Sequence, residues 1–244
     1  MNKFLGYIFS PLHYLSFGLL LVIFHPIQWI SLKLGGYVAH KRSVDILNCL
    51  LVATYYLMGS RVKFSNVHNL PVGRSIIFIA NHQSMYDIPP MIWHLRKYHA
   101  KFISKIELTR GIPSISFNLK HGGAANIDRK DPKQSISEIL KLAQRMRERK
   151  WSAVIFPEGT RSRDGKMKAF VAGGVSTLLK KVPDALVVPV AITGSWKLTR
   201  FGVFPLSFGE KMSWTVLEPI EPSGRTPDEI LQDAESAVRA AVNE

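Results

Sequence analysis

The sequence predicts an α/β fold in which a central mixed sheet is flanked by helices and preceded by an N-terminal two-helix membrane-associated hairpin. Three observations lead there. Residues 4–32 form a run of 29 positions without Lys, Arg, Asp or Glu. Beyond residue 60, short β-branched segments alternate with longer amphipathic ones, the pattern of a sheet covered by helices. The 244 residues are 46% hydrophobic and 20% charged, a composition that folds and fills one substantial domain. A boundary near residue 60 therefore separates a hairpin (1–60) from the main domain (61–244). Cys49 is the only cysteine, which excludes a disulfide scaffold and a Cys-based zinc site.

Charge is uneven. With 32 Lys+Arg and 18 Asp+Glu the net charge is +14. The first sixty residues hold four basic and one acidic residue (+3), leaving 28 against 17 (+11) for the rest. A basic body calls for an anionic partner: nucleic acid, anionic lipid or a phosphorylated substrate.

Within the apolar run, Pro11 and Pro26 delimit residues 12–25, 14 residues or about 21 Å of helix. That is short of the roughly 30 Å hydrocarbon core. A second apolar stretch, 46–58, follows the break Lys33-Leu34-Gly35-Gly36 and the basic cluster His40-Lys41-Arg42. The lengths favour a re-entrant hairpin in one leaflet, with a true span or a buried soluble pair as alternatives. Downstream, strands are expected at 75–80, 101–104, 124–128, 152–156, 186–193 and 213–217. Helices are expected from Asp87 to about Lys97, from Asp131-Pro132 to Lys150, over 171–181, and from the capping box Thr226-Pro227-Asp228-Glu229 onward. In the 131–150 helix, Ile136, Ile139, Leu140, Ala143 and Met146 share the expected core face.

Two strand-end loops carry unusual chemistry. In Asn81-His82-Gln83-Ser84-Met85-Tyr86-Asp87, a histidine leaves a strand and a carboxylate follows five residues later. Asp87 can fix the imidazole tautomer and leave the other nitrogen basic, half of a Ser-His-Asp arrangement without the serine. Equally, Asp87 can simply cap a helix and His82 be a satisfied core histidine. In Phe156-Pro157-Glu158-Gly159-Thr160-Arg161, Gly159 permits close backbone approach, Thr160 offers a hydroxyl and Arg161 a planar fork for phosphate; an ordinary polar turn is the alternative. There is no G-x-S-x-G, no GxxxxGK[ST], no G-x-G-x-x-G and no HExxH.

Together these loops resemble the glycerolipid acyltransferases, among them the 1-acyl-sn-glycerol-3-phosphate acyltransferases. His82 to Asp87 matches the family's HxxxxD block and Glu158-Gly159-Thr160-Arg161 its EGTR block. Lys105-Ile106-Glu107-Leu108 with Asp128-Arg129, and the segment from Val187 to Ile192, resemble two further blocks in the right order, so the likeness covers about residues 61–220. It implies that His82, held by Asp87, deprotonates the sn-2 hydroxyl of 1-acyl-sn-glycerol-3-phosphate, which attacks an acyl thioester without an acyl-enzyme and gives phosphatidate. It further implies that Arg161, Gly159 and Thr160 grip the phosphate, that Glu158 orients the glycerol or Arg161, and that Lys105 and Arg129 add positive charge. Ser84 is expected as a turn hydroxyl, not a nucleophile. The implied partners are lysophosphatidate, acyl-CoA or acyl-carrier protein as co-substrate, and the bilayer. No metal, cofactor or nucleic acid is expected, and the place is the cytoplasmic face of the inner or plasma membrane. The alternatives are acylation of another lysolipid (lyso-ornithine lipid, lysophosphatidylcholine), a non-catalytic basic membrane- or nucleic-acid-binding protein, and a hydrolase.

Overall fold

Seven strands, in the order β1-β7-β6-β2-β5-β3-β4, form the sheet of the computed structural model, which describes residues 1–243. They are β1 (Arg61–Ser65), β2 (Ile76–Ala80), β3 (Ala100–Lys105), β4 (Ala125–Ile127), β5 (Ser152–Ile155), β6 (Leu186–Thr193) and β7 (Lys211–Val216). The run β6-β2-β5-β3-β4 is parallel throughout. β7 pairs antiparallel with β6 and parallel with β1, so the sheet is mixed. Helices are α1 (Asn2–Tyr55), α2 (Ile88–His94), α3 (Ile115–His121), α4 (Pro132–Arg149), α5 (Ala172–Lys181) and α6 (Pro227–Asn243).

Central strands buried on both faces carry unbroken apolar runs, and β2 is fully buried along its length. Its alternation assigns the layers. Ile76 and Phe78 pack with Tyr55, Met58, Met91 and Leu95 beneath α1 and α2. Ile77 and Ile79 pack with Leu142, Val175 and Ile230 beneath α4, α5 and α6. Asp131 caps α4, its carboxylate accepting the Gln134 N–H at 3.0 Å. The expected capping box opens α6: Thr226 N–H donates to Glu229 Oε2 at 2.7 Å and Glu229 N–H to Thr226 Oγ1 at 3.3 Å.

Several expectations need correction. Pro11 and Pro26 lie inside α1 and do not end it. Each costs one backbone hydrogen bond, which the surrounding apolar turns absorb. The break falls at Gly36, whose φ of 62° only glycine adopts readily. The first limb therefore spans residues 2–35, about 50 Å rather than 21 Å, long and apolar enough to cross a membrane. The second limb, 37–55, folds back so that Leu21 and Phe24 meet Leu47 and Leu51. The α4 core face is rotated: Leu142 is buried and Ile136 exposed. The helix after Asp87 ends at His94, short of Lys97. Strand β1 and helix α3 carried no sequence signal that set them apart: β1 alternates Arg, Lys and Ser on an edge, and α3 is a single seven-residue stretch.

The turn of the hairpin is clamped to the N-terminal edge of the sheet. Tyr37 stacks on Trp151 at 4.7 Å, its hydroxyl lies 3.0 Å from His99 Nδ1, and the Lys101 ammonium sits 4.8 Å from Tyr37 and 4.6 Å from Trp151. Burial pushes Lys101 down to about 7, with Lys41 and Arg145 adding to the shift and Asp45 opposing it. The unfolded chain keeps this proton up to about pH 10.4 while the folded chain sheds it near 7. Lys101 therefore weakens the fold fully at low pH, and its contribution improves by up to about 1.4 kcal/mol per pH unit as pH rises from 7 to 10. Substituting Lys101→Met should raise stability at pH 6–7 and abolish that increment, read as the difference between variant and parent denaturation midpoints at pH 6.5 and 9.5.

Candidate active site

The parallel strands β2, β3, β4 and β5 end on one edge of the sheet, and each is followed there by residues singled out in the sequence. His82 comes two residues after β2, Lys105 closes β3, Arg129 follows β4, and Glu158 to Arg161 follow β5. In open α/β sheets this is the edge where ligands bind.

Asp87 is completely buried, and its carboxylate is fully used. Oδ2 accepts from Gln83 N–H (2.7 Å), Ser84 N–H (2.9 Å) and His82 Nδ1 (2.8 Å). Oδ1 accepts from the Ser195 hydroxyl at 2.5 Å. The capping and orienting readings of Asp87 are thus both realised: it closes a capping box with Ser84 over the short 3₁₀ turn Met85–Asp87 and holds the imidazole. His82 is no core histidine. Its side chain keeps 16% of its surface, Phe156 stacks on one ring face at 4.1 Å, and Nε2 has no hydrogen-bond partner among the described residues. The Nδ1–carboxylate bond places the proton on Nδ1 when the ring is neutral and leaves Nε2 as the free base. Ser84 is buried and accepts the Tyr86 N–H at 3.2 Å, a turn role.

The second loop is fastened to the first. Glu158 Oε1 accepts the His82 N–H at 2.7 Å and Oε2 the Lys168 N–H at 2.9 Å, and Ser162 N–H donates to the His82 carbonyl at 2.8 Å. Burial raises the Glu158 carboxyl, with the Lys168 and His82 N–H groups opposing. Both oxygens serve backbone amides, so Glu158 ties the loop after β2 to its own loop. Gly159 adopts φ 68°, and a Cβ there would meet nothing within 4 Å; the turn, not crowding, requires glycine. Thr160 Oγ1 accepts from Lys168 Nζ at 2.7 Å. Arg161 is exposed and makes no hydrogen bond or ion pair among the described residues. Arg129 lies close to it: the Arg129 guanidinium is lowered by partial burial, Glu107 opposing and Arg161 adding to the effect. Lys105 is exposed at the end of β3.

Three contributors were not found in the sequence. Ser195 follows β6 and reaches Asp87 from across the sheet. Asn81 straps β2 to β6, its Nδ2 donating to Ile192 O (2.8 Å) and its Oδ1 accepting Ile192 N–H (2.7 Å). Lys168 reaches Thr160 from the far side of its own loop. Only the polar Gly194-Ser195 pair at a strand end offered a signal. Among the described residues no group of three or more His, Cys, Asp or Glu comes together to hold a metal.

The Acyltransferase family model matches residues 61–193, more than half of the chain. The chain belongs to the acyltransferase family. Similar proteins include the 1-acyl-sn-glycerol-3-phosphate acyltransferase alpha of Mus musculus, 28% identical over 200 residues, or 80% of this chain and 67% of that protein. The 1-acyl-sn-glycerol-3-phosphate acyltransferase of Limnanthes douglasii is 28% identical over 220 residues, 88% of this chain and 71% of its own. The crystal structure of the 1-acyl-sn-glycerophosphate (LPA) acyltransferase of Thermotoga maritima shares the fold, with a TM-score of 0.78 at 23% identity over 100% of this chain and 97% of that one. The family is one of O-acyltransferases, and the matched range contains both the His82–Asp87 pair and the loop from Glu158 to Arg161.

If the Ser195 hydroxyl steadies the Asp87 carboxylate, Ser195→Ala should lower kcat for acyl transfer about tenfold or more, since a hydrogen bond to a charged group contributes roughly 1.5–3 kcal/mol. The acceptor KM should stay within about twofold. Steady-state kinetics with a parallel thermal melt separates this from a general loss of fold.

Proposed function

We propose that this protein transfers an acyl chain from acyl-CoA or acyl-carrier protein to the sn-2 hydroxyl of 1-acyl-sn-glycerol-3-phosphate, forming phosphatidate. The observation that carries the reading is His82 with Nδ1 fixed on a buried carboxylate and Nε2 open, at the strand edge where Lys105, Arg129, Arg161 and Lys168 gather from three strand-end segments. Exposed Met85, Ile106 and Leu108 lie in the same loops, so the rim is both cationic and apolar, as an anionic lysolipid requires.

In the proposed sequence, His82 Nε2 takes the proton of the acceptor hydroxyl as its oxygen attacks the thioester carbonyl carbon. The tetrahedral intermediate collapses, the C–S bond breaks, and the departing sulfur takes the proton back from His82. A thiol of pKa about 8.5 leaves readily, so no enzyme nucleophile is needed. Asp87 stabilises the transient imidazolium and stays ionised. Arg161 offers the acceptor phosphate a two-pronged grip, with Arg129, Lys105 and the Lys168–Thr160 pair adding positive field. Loop positions, not bonding, are the part given to Glu158.

The name of each relative supports lysophosphatidate as acceptor. The apolar outer face of the hairpin, with Phe4, Leu15, Leu19 and Leu34 exposed, supports membrane association. Thioester donors and the basic body support placement on the cytoplasmic leaflet.

With lysophosphatidate and a panel of acyl-CoA and acyl-carrier-protein donors, the protein should form phosphatidate, and His82→Ala should lose about 10²–10⁴-fold in rate. Acylation only of a phosphate-free lysolipid would overturn the acceptor, and free fatty acid without acceptor would indicate hydrolysis. Arg161→Ala should raise the KM for lysophosphatidate at least about tenfold, the loss of a charge-assisted phosphate contact, with a smaller effect on the donor KM.

A further inference from the structure

A second lipid-sized feature lies at the opposite edge of the sheet from His82. Trp151 immediately precedes β5 and Phe156 immediately follows it, so the two ends are about 17 Å apart along the strand. At the Trp151 end two cavities adjoin, sharing His121. One, of about 410 Å³, is walled by Trp29 and Leu32 of the hairpin and Phe117 of α3, with Lys33 at its margin. The other, of about 480 Å³, carries Lys120, Lys141, Arg145 and Arg149 against a single acid, Glu148.

Internal contacts account for only part of the polar half: Lys141 pairs with Glu138 at 2.6 Å. Lys120 has no ion-pair partner among the described residues. Glu148 accepts from the Gln144 side chain at 2.7 Å instead of pairing with a cation. Arg145 uses one Nη to donate to the Gly123 carbonyl at 3.0 Å, leaving the rest of its fork free. The floor beside Phe117 is not a sealed apolar core. The ring of His40 packs on Phe117 at 5.6 Å, and both its nitrogens, like the amide of Gln28, are buried without a hydrogen-bond partner among the described residues.

We infer that this groove binds one anionic phospholipid of the surrounding bilayer, its acyl chain along Trp29, Leu32 and Phe117 and its phosphate against Lys120, Arg145 and Arg149. Three features choose that occupant. With Lys141 paired to Glu138, the polar half still sets Lys120, Arg145 and Arg149 against the single acid Glu148, an excess that fits a phosphate. The apolar half is walled by Trp29 and Leu32 of the same hairpin limb that exposes Ile30 and Leu34, an apolar surface from which a lipid can enter. A nucleotide would need a free aromatic face, and Trp151 is covered by Tyr37 on one side and approached by Lys101 and Arg149. The site is separate from the acceptor site: its residues come from strand beginnings and helix ends on the far edge, and it holds the hairpin turn to both headgroup and sheet.

The test is co-sedimentation of the full chain with phosphatidylcholine vesicles containing 0 or 30% phosphatidylglycerol. Lys120→Glu with Arg149→Glu should weaken binding to the anionic vesicles at least about tenfold, and Lys120→Gln with Arg149→Gln about threefold. Binding to pure phosphatidylcholine should be unchanged. Lys180→Glu with Lys181→Glu, an equal charge change on α5, should cost less than twofold. A diazirine-tailed phosphatidylglycerol should label the segments around Trp29 and Phe117 in the parent and not in the Lys120/Arg149 variants. Equal weakening by both charge reversals would show only a net-charge effect and overturn the inference. So would labelling confined to other segments, or displacement of the lipid by millimolar inorganic phosphate at matched ionic strength, which would make the site one for free phosphate.

Discussion

A carboxylate withdrawn completely from water must have donors for its oxygens, and the way Asp87 obtains them organises the reactive edge. Leaving such a charge unpaired costs several kcal/mol, so the four donors are structural requirements in their own right. Gln83 and Ser84 amides shape the loop after β2, His82 supplies the third donor and Ser195 brings in the end of β6. Asn81, immediately before His82, straps the same two strands a second time through Ile192. The imidazole therefore inherits its direction from a network that the sheet itself imposes. Glu158 does the same for the neighbouring loop, spending its carboxylate on the amides of His82 and Lys168. Two buried acids thus fix the loop geometry, and Arg161 is left exposed without an ion-pair partner among the described residues.

The hairpin is coupled to this network rather than merely attached beside it. His13 is buried with Nδ1 3.1 Å from the Thr54 carbonyl and Nε2 3.3 Å from the Tyr86 hydroxyl. Tyr55 donates to the Tyr86 carbonyl at 3.2 Å. Tyr86 stands immediately before Asp87 in the chain, so the limbs that carry the apolar outer face also brace the His82–Asp87 loop from behind. At the other end, Tyr37, Trp151 and Lys101 pin the hairpin turn to the start of β5 and β3. The hairpin is in effect a strut along one layer of the sheet, and its first limb runs unbroken through Pro11 and Pro26 to the turn at Gly36.

Much of the architecture was legible from the sequence because buried parallel strands advertise themselves. β2, β5 and β6 are apolar runs bounded by turns, and the caps Asp131 and Thr226 announce α4 and α6. What failed to show did so for physical reasons. Proline scored as a helix breaker at positions 11 and 26, yet one lost hydrogen bond does not end a 34-residue apolar helix packed along its length. β1 is a five-residue edge strand whose alternation, Val62 and Phe64 packing inward between Arg61, Lys63 and Ser65, is too short to stand out from a loop. For the site, spacing placed His82 and Asp87 within one turn, and the loop after β5 read as a polar, glycine-containing turn. Long-range partners were invisible: Ser195 lies 108 positions from Asp87 and meets it only because β6 neighbours β2. The family resemblance alone gave Glu158 the part of orienting the glycerol or Arg161; the fold shows that each of its oxygens accepts a backbone N–H.

The claim on which the account turns is that His82 presents an unprotonated Nε2 because Asp87 holds the proton on Nδ1. ¹⁵N NMR of histidine-labelled protein in micelles reads this directly, with His82→Gln identifying the resonance pair. When the ring is neutral, the account predicts a protonated Nδ1 and a pyridine-like Nε2 for His82, and loss of that preference in Asp87→Asn. A neutral His82 carrying its proton on Nε2 would contradict it, since such a ring offers no base to an incoming hydroxyl.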